Sequence, residues 1–417
     1  MHRYSPCASS FLFIVESHKP NHIFPLIIKN LFIISYYPMD YSEQSLQLHK
    51  KHHWKIEIAS KVPLNTLEDL ATFYSPWVAA PCLKIAENNE DAYTYTRKSN
   101  TVAVITDGSA VLWLWNIGWL AGLPVMEWKA ILFKKFWNID AIPIVLSTQE
   151  PDEIIKCIEE IAINFWGINL EDIAAPKCFY IEEELKKRLS IPVFHDDQHW
   201  TAIVVLAWII NALKIKNDPL NGQKIVISWA WAAALAIGKL LRKAWATNII
   251  FCDSQWIISS SRKDLNPYKQ EVVQYNKNNI EWTLHEALIE SDIFIGVSKW
   301  DLLHAKDIAK MHTDPIIFAL ANPIPEIMPE EAKKGGAYII ATWRSDYPNQ
   351  VNNVLVFPWI FRWALDGKIT KITDEHKIAA AHALANSVDT LSIDKILPTV
   401  FEKQVVENIA NAIKEIW

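Results

Sequence analysis

The sequence predicts an α/β protein of two domains, and three observations lead to that fold class. From residue 39 onward, short apolar segments rich in Val and Ile alternate with segments of helical periodicity. The length of 417 residues is more than one typical domain requires. In the second half, apolar segments follow one another with room for a helix between them, which is typical of a parallel sheet.

The first domain is predicted to span residues 39–195, and its elements alternate in type. Helical periodicity favours helices at SLQLHKKHH (45–53), PDEIIKCIEEIAINF (151–165) and YIEEELKKRL (180–189). Apolar, strand-like segments include VAVITDGS (102–109), AIPIVLS (141–147) and IPVF (191–194). The last of these ends in the acidic HDDQH, and we place the domain boundary there, near residue 195.

The second domain, residues 196–417, is predicted to be a doubly wound parallel sheet. A helix-like stretch at 201–214 leads across the polar turn NDPLNGQ into the strand KIVIS (224–228), and an Ala-rich helix follows that strand. The further strands predicted in this domain, with helices between them, are NIIFCD (248–253), SDIFIGVS (291–298), DPIIFALAN (314–322) and AYIIATW (337–343).

Residues 1–38 differ from the rest of the chain. Charged and polar residues interrupt their apolar runs, so none reaches the roughly 18 to 20 residues of a membrane span. The run at 11–15 is short for a signal peptide, and no small-residue cleavage site follows it. We expect translation to begin at Met39, with residues 1–38 as a non-native extension, and we expect no membrane partner.

The overall composition is typical of an ordinary enzyme of the reducing cytoplasm. A formal net charge of −6 and a pI near 6.1 leave no basic surface for nucleic acid. The five cysteines are scattered without a CxxC pair, which argues against a zinc ribbon or a disulfide framework.

The turn after KIVIS has the layout of a dinucleotide-binding site of the Rossmann type. Such a turn requires G-x-G-x-x-G/A, because glycine permits the tight turn and lets the main chain approach a pyrophosphate at the helix amino end. Tryptophan stands at both glycine positions of this motif. The candidate cofactor-binding residues in the turn are Trp229, Ala230, Trp231, Ala232 and Ala234.

Tryptophan is over-represented along the whole chain, and glycine is under-represented. There are 20 Trp and 10 Gly, and together they make up roughly 7% of the residues, which is the usual share of glycine alone. Trp245 stands where a helix hands over to a strand, a position that favours the left-handed conformation and therefore Gly. We hypothesise that most Trp positions are glycine in the natural protein, through a genetic code that reads UGA as glycine.

The strand NIIFCD ends in Asp253, close to the expected spacing of about 20 residues after the turn. A carboxylate at this position accepts hydrogen bonds from the adenosine ribose and repels a 2′-phosphate, which favours NAD over NADP. NADP stays possible, because Arg262 could fold back toward a phosphate. Taken alone, Asp253 could also be a solvated residue that opens a turn.

Two pairs of adjacent acids lie at the ends of elements, Glu171 with Asp172 and Asp196 with Asp197. Three carboxylates without a thiolate suit a hard divalent cation, Mg²⁺ or Mn²⁺. A transition-metal site made from the histidines of HDDQH (195–199) is the alternative, and spacing alone does not choose between the two. Each acid pair is by itself also typical of a solvated turn or a helix cap.

Seven segments, in one order over about residues 45–400, resemble the short bacterial malic enzymes. They are LEDLATFYSPWVAAPC, TDGSAVLWLWNIGWLAGLPVMEWKAILFKKF, INLEDIAAPKCF, PVFHDDQHWTAIVVLAW, ISWAWAAALAIGKLL, ANPIPEI and YPNQVNNVLVFPWIFRWALD. In that family's pattern most of the aligned tryptophans are glycines, in agreement with the recoding hypothesis. The resemblance implies a malic enzyme α/β domain followed by a Rossmann-type NAD-binding domain.

The activity that the resemblance implies is oxidative decarboxylation of L-malate to pyruvate and CO₂, with hydride transfer to NAD or NADP. Lys129 would take the proton of the C2 hydroxyl, which requires an amine whose pKa is depressed toward neutral pH. Tyr74 would protonate the enol carbon. Glu171, Asp172 and Asp197 would hold Mg²⁺ or Mn²⁺.

Asn322 and Asn353 would hydrogen-bond the substrate carboxylate and the cofactor amide, with Asp196 and Thr201 supporting the metal ligands. Larger members of the family carry an arginine that grips the malate carboxylate where this chain has Ala110, so that role is left unassigned. Without the resemblance, these residues would be interpreted as ordinary surface, packing or loop residues.

The resemblance also implies a homodimer, with the 45–75 region as a plausible contact. Two alternatives stay open. Genuine tryptophans at 229 and 231 would fill the pyrophosphate space and give a misfolded or non-catalytic product. An NAD-dependent amino-acid dehydrogenase would share the two-domain plan but would need no divalent metal.

Overall fold

The structure is a computed structural model that describes residues 41–53, 55–111, 114–279, 281, 283–399 and 402. The chain divides into two compact units, residues 1–51 and residues 52–417. Helix α1 (Ser42–His52) accounts for nearly all described residues of the first unit. The expected extension, residues 1–38, lies outside the described residues.

The larger unit contains two parallel sheets and the helices that connect and cover their strands. In chain order, the helices of its described part are α2 (Leu67–Phe73), α3 (Ala79–Glu87), α4 (Ala92–Tyr95), α5 (Trp119–Trp137), α6 (Pro151–Ile161), α7 (Lys177–Arg188), α8 (Asp196–Lys216), α9 (Ala232–Lys243), α10 (Pro267–Val272), α11 (Leu284–Ala287), α12 (Ala305–Ile308), α13 (Pro329–Lys334), α14 (Phe357–Asp366) and α15 (Asp374–Asn386).

The first sheet has four parallel strands in the order β2-β1-β3-β4. They are β1 (Thr101–Thr106), β2 (Asp140–Val145), β3 (Gly167–Leu170) and β4 (Val193–His195). All residues of the central strand β1 are buried, as expected for a parallel strand covered on both faces. Because helices α5, α6 and α7 form the connections, the carboxyl ends of all four strands meet at one edge.

The second sheet has five parallel strands in the order β6-β5-β7-β8-β9. They are β5 (Lys224–Ser228), β6 (Asn248–Cys252), β7 (Ile293–Gly296), β8 (Ile316–Ala319) and β9 (Ile339–Thr342). The strand order reverses at β5, which pairs with β6 on one side and β7 on the other. In open sheets of this kind, ligands bind outside the carboxyl ends of the strands at such a reversal.

Helix α8 lies in the core of the larger unit. Between residues 200 and 213 every side chain except that of Ile210 is buried, and the helix packs against α9 and α15. By length and hydropathy it could cross a membrane, and among the described helices it alone meets that test, but 78% of the relevant stretch is buried inside the protein. A helix that is apolar all round is the expected form of such a central element.

The predicted α/β class and the parallel arrangement of the strands are confirmed. Helix α8 begins at Asp196 rather than near 201, because the acids of HDDQH form its first turn, where the helix dipole favours negative charge. The domain boundary near residue 195 stays a prediction, since residues 52–417 form one compact unit.

Candidate active site

An acidic cluster lies at the carboxyl edge of the first sheet, where β3 and β4 end. Glu171 and Asp172 follow β3 directly, and Asp196 and Asp197 open helix α8 directly after β4. Because β3 and β4 are parallel neighbours, acids distant in sequence are brought to one place. One carboxylate oxygen from each of Glu171, Asp172 and Asp197 lies within 4.8 Å of the others.

Lys129 reaches this cluster from helix α5. Its Nζ lies 2.8 Å from Glu171 Oε1 and donates a short hydrogen bond to Asp196 Oδ2. The same nitrogen lies 4.5 Å from the centroid of the Phe357 ring. With only 13% of the side chain exposed, the ammonium group is largely removed from water and held between two carboxylates.

The charges in the cluster shift one another's pKa values. Burial by itself would lower the pKa of Lys129, but Asp196 and Glu171 outweigh burial and raise it above its ordinary value. The expectation of a depressed pKa at Lys129 is therefore wrong for this arrangement. Burial raises the pKa of both Glu171 and Asp197, and the neighbouring Asp196 adds to the effect.

The three carboxylates fit a hard divalent cation. The possible ligands are all oxygens, and they lie close enough together to share one ion. Burial raises the pKa of Glu171 and of Asp197, and the neighbouring Asp196 raises both further, so a cation would favour their ionised forms. Asn169 Nδ2 donates to Glu171 Oε2 at 2.9 Å and so orients one of these carboxylates.

The histidines of HDDQH are not arranged as a metal site. Among the described residues, neither His195 nor His199 belongs to a group of side chains placed to share an ion. His199 Nε2 instead lies 2.8 Å from Glu182 Oε1, and burial lowers the pKa of His199 to about 3. Glu182 also accepts the main-chain N–H of His195 at 3.0 Å. Helix α7 thereby fixes the point at which Asp196 and Asp197 begin helix α8.

A second polar group, centred on Asp107, lies at the same edge and was not predicted from the sequence. Asp107 follows β1, is fully buried, accepts hydrogen bonds from Ser109 N at 3.0 Å and Ser109 Oγ at 2.6 Å, and pairs with Lys177. The available signal is an Asp directly after a buried strand, in TDGS. Ala110 donates its main-chain N–H to Asp172 O at 2.9 Å, which ties this loop to the acidic cluster.

The turn after β5 joins a left-handed main-chain position to the amino end of α9 and carries two bulky side chains. Trp229 has φ 68°, in the left-handed region that glycine adopts readily and large residues do not. Trp231 is extended at the N-cap of α9 and makes no side-chain capping hydrogen bond. Since the first N–H groups of a helix have no partner within it, the amino end of α9 can receive an anion.

The indole of Trp231 lies beside the residue expected to bind the ribose. It is 40% exposed, and its ring centroid is 5.7 Å from Lys269 Nζ. Lys269 Nζ in turn lies 2.7 Å from Asp253 Oδ2. The indole of Trp231 therefore lies near the ion pair of Lys269 and Asp253, at the edge of the sheet where a dinucleotide is expected to bind.

The remaining predicted residues differ in their exposure and in their hydrogen-bond partners. Asn353 Nδ2 lies 3.5 Å from Thr201 Oγ1, and Asn353 Oδ1 has no hydrogen-bond partner among the described residues. Asn322 is exposed shortly beyond the carboxyl end of β8. Tyr74 is 68% exposed. Within the described chain, no hydrogen bond joins its phenol to Lys129 or to the acids.

Comparison with known proteins identifies both halves of the chain. The family described as "Malic enzyme, N-terminal domain" matches residues 53–186, and "Malic enzyme, NAD binding domain" matches residues 199–416. An NAD-dependent malic enzyme from Geobacillus stearothermophilus is 50% identical over 364 residues, which cover 87% of this chain and 76% of the relative. An NADP-dependent malic enzyme from Halomonas elongata is 43% identical over 380 residues, which cover 87% of this chain and 89% of the relative.

The fold agrees with that of a solved relative. The crystal structure of the NAD-dependent malic enzyme from Thermotoga maritima matches with a TM-score of 0.86 at 43% identity, covering 88% of this chain and 98% of that one. The amino-acid dehydrogenase alternative is not favoured, since both family matches are to malic enzyme domains. The chain therefore belongs to the malic enzyme family.

Proposed function

We infer that this chain catalyses the oxidative decarboxylation of L-malate to pyruvate and CO₂, with hydride transfer to NAD or NADP. The observation that carries this inference is the position of Lys129 within the acidic cluster at the carboxyl edge of the first sheet. The reaction requires a group that moves a proton at the C2 hydroxyl and a place for a divalent cation. This cluster contains candidates for both.

Lys129 Nζ is the group we assign to the C2 hydroxyl proton. Before substrate arrives, Asp196 and Glu171 keep the amine protonated, because both carboxylates contact it. Asp196 holds Nζ through a short hydrogen bond and is therefore the residue placed to exchange a proton with it. A lysine that returns to its neutral form beside the substrate can then act as a general base.

Glu171, Asp172 and Asp197 are the residues we assign to Mg²⁺ or Mn²⁺. A bound divalent cation would polarise the C2 oxygen and offset the negative charge that develops as CO₂ leaves. The closeness of the three carboxylates and their all-oxygen chemistry support the assignment. Asn169 keeps the Glu171 carboxylate oriented through a hydrogen bond of 2.9 Å.

The cofactor is assigned to the carboxyl edge of the second sheet. The main chain of the turn at 229–234 would receive the pyrophosphate, and Asp253 would receive the adenosine ribose. Bound NAD or NADP would accept the hydride from C2. Asn322 and Asn353 are assigned to the substrate carboxylate and the cofactor amide, and the unpartnered Oδ1 of Asn353 supports a polar ligand there.

We propose further that Trp229, Trp231 and most other tryptophans are glycine in the protein that the cell makes. Three described tryptophans have left-handed main-chain conformations, Trp115 at φ 60°, Trp229 at φ 68° and Trp245 at φ 75°. The left-handed conformation predicted at Trp245 is thereby confirmed. The other described non-glycine residues with positive φ are mostly Asn and Asp, the types that tolerate this region.

Two buried tryptophans support the same proposal independently of main-chain conformation. Trp200 and Trp208 in helix α8 are almost completely buried, and within the described chain their indole nitrogens have no hydrogen-bond acceptor. A buried donor without a partner costs about 1–3 kcal/mol. Glycine at these positions would remove the conflict.

The assembly that we propose is a homodimer in which the partner contributes Tyr74. Residues 64–83 include a row, along the sequence, of exposed apolar side chains, among them Leu67, Phe73 and Leu83. We assign these side chains to the dimer contact, because exposed apolar patches mark contacts with other proteins. A second copy of the chain seated on this row would cover it, and each phenol could then reach the acidic cluster of the other copy.

Mixing two inactive variants tests the shared site. Lys129→Ala and Tyr74→Phe would each lack one required group, but a mixed dimer would contain one complete site if Tyr74 acts on the partner. We expect activity to return when the two proteins are unfolded together and refolded. No return of activity, in mixtures shown by mass to contain mixed dimers, would assign Tyr74 and Lys129 to the same chain.

We place the protein in the cytoplasm. The cysteines in the described part of the chain, Cys82, Cys157, Cys178 and Cys252, form no disulfide, which supports a reducing compartment. Fractionation of the source cells followed by immunoblotting would test this placement.

The activity itself is tested with L-malate, Mn²⁺ and NAD or NADP, using the chain with glycine at 229 and 231. We expect reduced cofactor and pyruvate in equal amounts. Oxaloacetate accumulating in place of pyruvate, or no reduced cofactor at all, would contradict the proposed reaction.

A further inference from the structure

We propose that Lys269, together with Arg262, reads the 2′ position of the adenosine ribose, and that the chain therefore binds 2′-phosphorylated nucleotides as well as unphosphorylated ones. This inference rests on the proposed nucleotide site at the carboxyl edge of the second sheet. It assigns a role to two cations that the proposed reaction does not otherwise use.

Asp253 is already bound by protein groups on both of its oxygens. Its Oδ1 accepts hydrogen bonds from Gln255 N at 3.0 Å, Trp256 N at 3.3 Å and Arg262 Nη1 at 2.8 Å. Its Oδ2 accepts one from Lys269 Nζ at 2.7 Å. Because a carboxylate offers about four acceptor positions, Oδ1 is saturated, and only Oδ2 retains room for a ribose hydroxyl.

The charge of Asp253 is balanced by its two partners. One carboxylate faces a guanidinium and an ammonium, and the side chains of Asp253, Arg262 and Lys269 are all largely buried. Arg262 is shared with Asp264, whose side chain is about half exposed. Ion pairs removed from water are screened little by salt. The two cations therefore offset the repulsion that an isolated Asp would exert on a 2′-phosphate.

Lys269 is the partner of Asp253 whose N–H donors are not all used. An ammonium group has three N–H donors, and the described contacts of Lys269 Nζ use one of them, on Asp253. The guanidinium of Arg262 is by contrast committed to Asp253, Asp264 and the main-chain oxygen of Trp256. Lys269 is thus the residue from which a phosphate oxygen could gain a charge-assisted hydrogen bond.

The position of Lys269 fits this assignment. Its Nζ lies 5.7 Å from the ring centroid of Trp231, the residue at the amino end of α9, and 2.7 Å from Asp253. It therefore lies beside the residue that we assign to the adenosine ribose, on the side of the Trp231 indole. A group at that place meets the 2′ substituent rather than the nicotinamide end of a dinucleotide.

The test measures binding of two fragments, 5′-AMP and 2′,5′-ADP, by calorimetry on the full chain with glycine at 229 and 231. We expect 2′,5′-ADP to bind at least as tightly as 5′-AMP. Lys269→Ala should weaken 2′,5′-ADP by about tenfold or more while changing 5′-AMP by less than about threefold. Lys263→Ala, which removes an exposed lysine next to Arg262, is the matched control and should change neither affinity.

A second variant tests the assignment with Lys269 in place, so that unfolding caused by Lys269→Ala cannot explain the result. Asp253→Asn keeps the size of the side chain and removes its charge, so 2′,5′-ADP should bind more tightly than to the parent chain. Equal weakening of both fragments by Lys269→Ala, or no change in either, would overturn the assignment of Lys269. If the parent chain binds neither fragment, the nucleotide site itself is wrong, and the failure lies with the proposed function.

Discussion

The carboxyl edges of the two sheets differ in how well the sequence suits the main chain. At the first edge, Glu171, Asp172 and Asp197 have side chains whose chemistry matches the positions that the fold gives them. At the second edge, Trp229 has a left-handed conformation that disfavours a bulky side chain, and Trp231 stands at the N-cap of α9, where we propose that a pyrophosphate binds. The residue types alone indicate a site that is built from side chains. A site built from the main chain is indicated only by small residues, which leave the main chain accessible.

The largest effect that we expect lies at the first edge, on removal of the metal. EDTA should abolish pyruvate formation and Mn²⁺ should restore it, because the carboxylates alone cannot stabilise the charge formed at C2. Asp197→Asn should lower kcat/KM at saturating cofactor by at least about 100-fold and raise the Mn²⁺ concentration needed for half activity. Asp218→Asn, which changes an acid two residues beyond the carboxyl end of α8, is the control. Full activity in EDTA would remove the metal from the mechanism.

Lys129→Ala should have the next largest effect, a loss of about 10²- to 10⁴-fold in kcat/KM for malate. The same variant should leave NAD affinity, measured by calorimetry, close to that of the parent chain, because Lys129 lies at the first edge. Lys135→Ala, which changes an exposed lysine of the same helix, should be nearly fully active. A Lys129→Ala protein with normal turnover would exclude this residue as the base.

At the second edge, replacing Trp229 and Trp231 by glycine should tighten NAD binding by at least about tenfold. The expected reason is steric, since the main chain that we assign to the pyrophosphate carries these two indoles. Trp245→Gly is the matched control, because Trp245 shares the left-handed conformation of Trp229 but follows the carboxyl end of α9. Unchanged NAD affinity in the double variant would mean that the two edges do not differ as described.

The smallest effect that we expect is on stability, from Trp245→Gly alone. The side chain of Trp245 is 80% exposed, so little packing is lost, and the left-handed conformation disfavours it by about 1–2 kcal/mol. The added chain entropy of glycine in the unfolded state offsets about 0.5–1 kcal/mol of this gain. Urea unfolding should therefore show a stabilisation of about 1 kcal/mol without any change in NAD binding.

Much of the fold could be predicted from the sequence, because burial leaves a local pattern. The strand predicted at 224–228 has the observed bounds of β5, since its apolar residues are consecutive and a polar turn precedes them. The helix predicted at 201–214 is observed at Asp196–Lys216. Its first turn is acidic, and acids at a helix start resemble a turn when only periodicity is considered.

The candidate site could be predicted only in part, because its contacts join residues that are far apart in sequence. The positions of the acids followed from their places after strands, and the structure brings Glu171, Asp172 and Asp197 together. The raised pKa of Lys129 could not be foreseen, since its partner Asp196 is 67 positions further along the chain. No local pattern indicated that Lys269 would pair with Asp253 across the turn.

The contrast between the two edges depends most directly on which residues the cell inserts at 229 and 231. Mass spectrometry of the tryptic peptide spanning residues 225–239, from protein purified out of its natural source, reads both positions at once. We expect a peptide lighter by two tryptophan-to-glycine replacements, from a protein that forms pyruvate from malate. Tryptophan at both positions in a protein with that activity would contradict our central claim.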